Sequence, residues 1–197
     1  MANPEHVAQL HNGEQSWNHW RQEDPSLNPD LSGVVLVNAD LRNVNLRQVD
    51  LTEANLLGAN LSGAILSRAN LTLANLLGAI LSGADLSRAN LSEACLFGAV
   101  LNGTNLSGAN LALTDLGKAE LHNAEMLGAS LVGADLSEAK FHGANLRGAS
   151  LNGANFHRAD LQRVGEIEIS QIYSAENWHQ AYYNQTFRRL IGLPFEI

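Results

Sequence analysis

The side chains able to do chemistry in this chain sit on a regular grid. His122 and His142 are twenty residues apart. Two histidines are half of a structural zinc site, which usually takes four ligands. The positions twenty residues to either side hold Asn102 and Gln162, poor zinc ligands, so the pair reads as solvated surface histidines and no metal is expected. Ser, Asp and His are plentiful, but catalysis needs a cleft that gathers them and excludes water. The regular pattern described below offers no such cleft, so no catalytic residue, no cofactor and no enzymatic activity are expected. The glycines make no phosphate loop: neither G-x-G-x-x-G between a strand and a helix nor G-x-x-x-x-G-K is present. Asn60, Asn70, Asn90 and Asn105 each begin an Asn-x-Ser/Thr triplet, which the repeat phase generates of itself. The single cysteine, Cys95, rules out an internal disulfide and falls at an outward position, as a lone exposed thiol.

The elements that hold this grid have a period of five. From Leu31 to Leu161 a leucine recurs at every fifth position, replaced only by Met126, Phe141 and Phe156. From Val34 to Val164 the position two residues before this one holds Ala, or Val or Thr at Val34, Val44, Val49, Thr104, Thr114 and Val164. The intervening residue is commonly Asn or Asp, and Ser-Gly often follows, so the unit reads A-(N/D)-L-S-G. On an α-helix, steps of five scatter the leucines around the axis. On a flat strand, an odd spacing alternates them between faces. A chain that bends every five residues buries both Ala and Leu, which are two apart on a short extended piece and point the same way. Gly58, Gly63, Gly78, Gly83, Gly98 and Gly103 fall at the corners, where φ > 0 is needed.

Runs such as ANLSGA, ADLSRANLSEA and GANLRGASLNGANF resemble the pentapeptide repeat family over residues 30–164. The resemblance implies an all-β solenoid, a right-handed quadrilateral β-helix with four units per coil. The residues support four units per coil independently, because blocks of twenty (56–75, 76–95, 96–115) match one another better than blocks of five. Twenty-seven units make about seven coils. At a strand spacing of ~4.8 Å the rod is ~32 Å long.

Three segments follow: an N-terminal helical cap over 1–30, the repeat over 31–164 and a C-terminal strand and helix cap over 165–197. Asn3-Pro4 is a helix start. Trp17 and Trp20 share one side of a second short helix, and Pro25 and Pro29 end it. The cap is expected to cover the open apolar end and unpaired edge of the first coil. At the other end, Glu166–Ile169 alternates as a final strand. Ser174 then starts a helix running to Leu190, with Trp178, Tyr182, Phe187, Leu190 and Ile191 as its apolar side.

The net charge of −8 is unevenly placed: −4 in residues 1–30, −2 in 31–164 and −2 in 165–197. There is no signal-peptide pattern and no long apolar run, so a cytoplasmic protein that does not enter the membrane is expected. One outward column departs from polarity. Val37, Leu57, Leu77 and Phe97 are twenty apart, with Ile80 and Val100 around the next corner. Stacked exposed apolar residues mark a contact surface.

Two functional readings follow. The first is a non-catalytic scaffold or protein-interaction module that meets an unknown protein or a second copy through this strip, or dimerises through its C-terminal helix. The second, implied by the resemblance, is a DNA mimic that inhibits or protects a type II topoisomerase such as DNA gyrase. Charge argues against the second, since duplex DNA carries one negative charge per ~1.7 Å. Asp115, Glu120 and Glu125 lie on successive faces, and Lys118 and Lys140 dilute them. With no basic patch or aromatic platform in the sequence, direct nucleic-acid binding is not expected.

Overall fold

A computed structural model describes residues 1–194 of the 197-residue chain. Its body is built from five-residue units, each paired by a parallel bridge with the unit twenty residues on: Asp50 with Asn70, Asn55 with Asn75, Asn60 with Ile80, Ile65 with Asp85. Four units therefore complete one turn, and the body has four faces. Face 1 carries the bridge residues Asp30, Asp50 and Asn70; face 2 Val35, Asn55 and Asn75; face 3 Asp40, Asn60 and Ile80; face 4 Asn45, Ile65 and Asp85. Among the described residues the pairing consists of isolated bridges, because the chain turns again before a longer strand can form.

Each unit closes with its own turn and is tied to the next coil. Within a unit, the Ala54 N–H donates to the Leu51 carbonyl at 2.9 Å. Between coils, Leu51 N–H donates to Asn70 O at 2.7 Å and Glu53 N–H to Thr72 O at 2.9 Å. The third residue of the turn requires φ > 0, as in a type II turn. From Gly33 to Arg158 every fifth residue has a φ between 54° and 74°. Only half of these positions are glycine. Leu73 (φ 60°) and Leu113 (φ 59°) adopt the left-handed region with a branched side chain attached, at a local cost of about 1–2 kcal/mol. The tertiary register enforces the corner even where the residue resists it.

The interior is a stack of leucines and alanines. Leu56, Leu76, Leu96, Leu116 and Leu136 are fully buried in one column, and the alanines two residues before such leucines are buried with them. Thr104 and Thr114 replace two of these alanines and are fully buried. Their hydroxyls donate to Leu81 O (2.8 Å) and Leu91 O (2.9 Å), so neither is left unsatisfied. Outside, the Asn and Asp side chains form ladders: the Asn110 amide donates to Asn90 Oδ1 (2.9 Å), and the Asn90 amide to Asn70 Oδ1 (3.4 Å) and Thr72 Oγ1 (2.8 Å).

Two helices precede the first coil. α1 (Pro4–His11) is capped by the Asn3 side chain, which accepts from Glu5 N–H, and α2 (Glu14–Glu23) follows at Gly13. Trp17 is fully buried in the core cluster and Trp20 packs against it partly buried. The Trp17 indole N–H donates to Asn45 O at 2.7 Å, and the Asn18 amide bonds Asn45 N–H and Asn43 O. The Arg21 guanidinium donates to Arg47 O (2.9 Å) and Leu27 O (2.6 Å). Side chains of α2 thus stand in for the strand that would precede face 4.

The C-terminal segment differs from the expectation of one strand and one long helix. Glu166–Ile169 forms no strand. Glu168 caps α3 (Ile169–Ser174), and a 3-10 turn (Trp178–Gln180) and α4 (Gln185–Leu190) follow. The helix expected from Ser174 to Leu190 is interrupted because the chain between α3 and α4 pairs with the last coil instead. Glu176 bridges Asn155 and Tyr182 bridges Asp160. Ala175, Ala181 and Tyr183 point inward and are buried, in the manner of the repeat. The two bridge residues are six apart, not five, so the segment falls out of the sequence phase. As a result the apolar side expected for the long helix is only partly right. Tyr182 (36% exposed) and Leu190 (61%) face outward, while Tyr183, Ile172 and Ile191 are buried and Trp178 and Phe187 are partly buried.

Truncating one rung of the leucine stack leaves a cavity that neighbouring coils cannot fill. Leu81→Ala is expected to lower stability by about 2–5 kcal/mol, measured by chemical denaturation.

Candidate functional site

The apolar column expected on face 2 is present on the surface of the rod. Val37 (39% exposed), Leu77 (43%) and Phe97 (39%) project from it, and Ile80 (38%) projects from face 3 around the corner. Leu57 and Val100 occupy the same columns but are half-buried. The four coils carrying Val37, Leu57, Leu77 and Phe97 contain no charged residue on face 2. The strip ends at a defined place. The Phe97 ring lies against Gly117, where an added Cβ would come within 3.0 Å of the ring, and the Lys118 ammonium sits 5.5 Å from the ring centroid. Leu73 (48% exposed) stands at the preceding corner and widens the apolar surface. A column-by-column reading of the position after each leucine passes over it, because Leu73 is a left-handed corner residue.

Charge is sorted by face. Face 1 holds Asp30, Asp50, Glu53 and Glu93 with no base. On face 4, Arg47, Arg68 and Arg88 surround one shallow depression of about 430 Å³ with Ser67, Ser87, Ser107 and Asp85. The expectation of no basic patch is corrected here: residues twenty or twenty-one apart in sequence become neighbours. Three arginines remain few beside the six to ten phosphate contacts of a typical nucleic-acid site. On face 3, Lys140 donates to Glu120 at 3.0 Å, and this hydrogen bond holds the Glu120 carboxyl below its ordinary pKa. Asp40 accepts from Arg42 in a bidentate pair, chiefly through which its pKa falls to about 2.

The other singled-out residues do not converge. His122 and His142 meet edge to face with ring centroids 5.9 Å apart, and no group of three or more metal-binding side chains exists among the described residues. Cys95 is half-buried between Asn75 and Asp115, not fully exposed, because stacked neighbours cover it from both sides. It interrupts the amide ladder of its column. No helix among the described residues is long and apolar enough to cross a membrane.

The family model for pentapeptide repeats matches residues 30–68, 64–103, 94–129 and 129–164. The chain belongs to the pentapeptide repeat family. Among solved structures it is similar to HetL from Nostoc sp. PCC 7120, a pentapeptide repeat protein involved in heterocyst differentiation regulation. Identity to HetL is 34%, with a TM-score of 0.58 over 79% of this chain and 72% of that one. A pentapeptide repeat protein from the Arabidopsis thaliana thylakoid lumen is 27% identical over 57% of this chain and 71% of its own, at a TM-score of 0.39. The plasmid-mediated fluoroquinolone resistance protein QnrB1 is 18% identical over 83% of this chain and 87% of its own, at a TM-score of 0.35. The last two superpose too loosely to bear on function. No curated protein matches the sequence.

Because the Phe97 ring occupies the space above Gly117, Gly117→Ala is expected to displace the ring from the Lys118 ammonium. The check is the chemical shift of the Lys118 ε-methylene protons. It is ring-shifted in the starting protein and should return toward its unperturbed position in the variant.

Proposed function

We propose that this protein is a non-catalytic interaction scaffold: a stiff solenoid, read as a right-handed rod of about seven coils, that presents one uncharged apolar strip to a protein partner. The observation that carries this reading is the column Val37, Leu57, Leu77 and Phe97, with Ile80 and Val100 beside it. Three of the column's four side chains stay about two-fifths exposed on a face free of charge over four coils. A regular rod holds such residues in fixed positions, so little ordering entropy is lost on contact. Patches of this kind are uncommon on surfaces that meet only water.

DNA mimicry is the less favoured reading. The acidic side chains of face 1 number four along the rod, against one negative charge per ~1.7 Å in duplex DNA.

A photo-crosslinking residue placed at position 77 is expected to capture a partner in cells, whereas one at position 152, on face 1, captures none. Leu77→Glu with Phe97→Glu leaves the β-type circular dichroism unchanged and abolishes the association; association that survives the double change rejects the strip. In a gyrase supercoiling assay, titration of the purified protein is expected to leave supercoiling unchanged, and inhibition at micromolar protein would restore the mimic reading.

A further inference from the structure

In the body of the rod, three backbone groups on each face reach back to the preceding coil. On face 2 of the second coil these are the N–H and C=O of Asn55 and the C=O of Leu57, bonded to Val34 O, Leu36 N–H and Asn38 N–H. The first coil has no preceding coil, and the cap replaces it unevenly. On face 4 all three groups are met: Asn45 N–H by the Asn18 side chain, Asn45 O by Trp17 and Arg47 O by Arg21. On face 1, Asp30 N–H donates to His6 Nδ1 and Asp30 O accepts from Asn3 N–H. On faces 2 and 3, none of the equivalent groups of Val35, Val37, Asp40 and Arg42 has a partner among the described residues.

Face 2 is the more open of the two. On the other three faces of the first coil, an Asp or Asn side chain captures the N–H two residues on: Ser32 by Asp30, Arg42 by Asp40 and Arg47 by Asn45. Face 2 has Val35 at that position, which accepts nothing, so the Val37 N–H is left free as well. Val35 and Val37 therefore present the three groups that pair between coils elsewhere, one donor and two acceptors, with no side chain over them. Val35 is 69% exposed, whereas Asp30 and Asn45 at the same position on the capped faces are half-buried. The edge of face 3 carries the Asp40–Arg42 ion pair, and charges of this kind discourage strand addition. Face 2 has no such guard.

We infer that the face-2 edge of the first coil, Val35 to Val37, is a docking site for an extended segment of a partner protein, which adds to the rod as a β-strand. Main-chain hydrogen bonds supply the affinity, and alternate side chains the selectivity. The interior behind the edge is already filled, since Val34, Leu36, Leu10 and Trp17 are all buried. Inward side chains of the incoming strand must therefore be small. Its outward side chains extend the apolar column of Val37 and Leu57, so they are apolar. The site shares a face with the strip but rests on backbone groups, so either can fail without the other.

The test is amide hydrogen exchange by NMR on the full chain. The probe is a synthetic peptide with the sequence of residues 75–84, which pair with faces 2 and 3 one coil further on, carrying Ala in place of the inward Leu76 and Leu81. In the free protein the Val35 amide exchanges without protection. Saturating peptide is expected to slow the Val35 amide at least about tenfold, the signature of a newly paired edge, and to shift the neighbouring Val37 and Asn38 amide resonances. Val35→Pro removes the edge donor at a position where an edge strand tolerates proline, and abolishes the peptide-induced shifts of Val37 and Asn38. Leu77→Glu with Phe97→Glu leaves them in place. Protection of Val35 already present without peptide, exchange unchanged by millimolar peptide, or peptide-induced shifts that survive Val35→Pro each overturns the site. Protection that grows with protein concentration alone would assign the edge to a second copy and overturn it equally.

Discussion

The structure depends on one coupling: a left-handed corner every five residues, held in place by backbone hydrogen bonds to the coil above and below. Neither part persists alone. A non-glycine residue resists φ > 0, and a single bridge residue is too short to be a strand. Stacked at a twenty-residue register, each corner is clamped by bonds such as Leu51 N–H to Asn70 O and Glu53 N–H to Thr72 O. Leu73, Glu93 and Leu113 therefore occupy a conformation that favours glycine, because the lattice of rungs over-determines the position. The leucine stack fills the volume that this lattice encloses and offsets the strain by burial.

The same regularity makes the ends the demanding part of the molecule. Every coil offers its edge to the next, so the first and last edges must be met by something outside the repeat. The two ends solve this differently. At the N-terminal end, side chains of α2 imitate a strand: an indole, an amide and a guanidinium take the acceptors and donor of Asn45 and Arg47. At the C-terminal end the backbone itself continues, with Glu176 and Tyr182 pairing into the last coil. A helix has only a few side chains in position to reach an edge, so α1 and α2 cover two faces and leave two bare.

A rod with four flat faces also sorts its surface by chemistry. Because each residue's neighbours are twenty positions away, composition along the chain says little about any one face. Face 1 is purely acidic, face 4 gathers three arginines around one depression, and the first coils of face 2 are uncharged and apolar. The near-neutral sum conceals this separation.

The sequence by itself determined the period, the inward Leu and Ala and the twenty-residue register. All of these follow from a pattern that neither a helix nor a flat strand can bury, and the residues state it directly from Leu31 to Leu161. It did not determine what happens where the phase breaks. Trp178 to Leu190 reads as an amphipathic helix, yet Glu176 and Tyr182 are drawn into bridges by an unpaired edge that only the assembled rod creates. In the same way Arg47, Arg68 and Arg88 are ordinary scattered bases until the coils stack them, and Val35 is one apolar residue among many. Only the folded rod shows that Val35 stands on an edge that no cap residue reaches. Hydrogen-bond supply and demand at an edge is a property of the assembled backbone, and no local pattern encodes it.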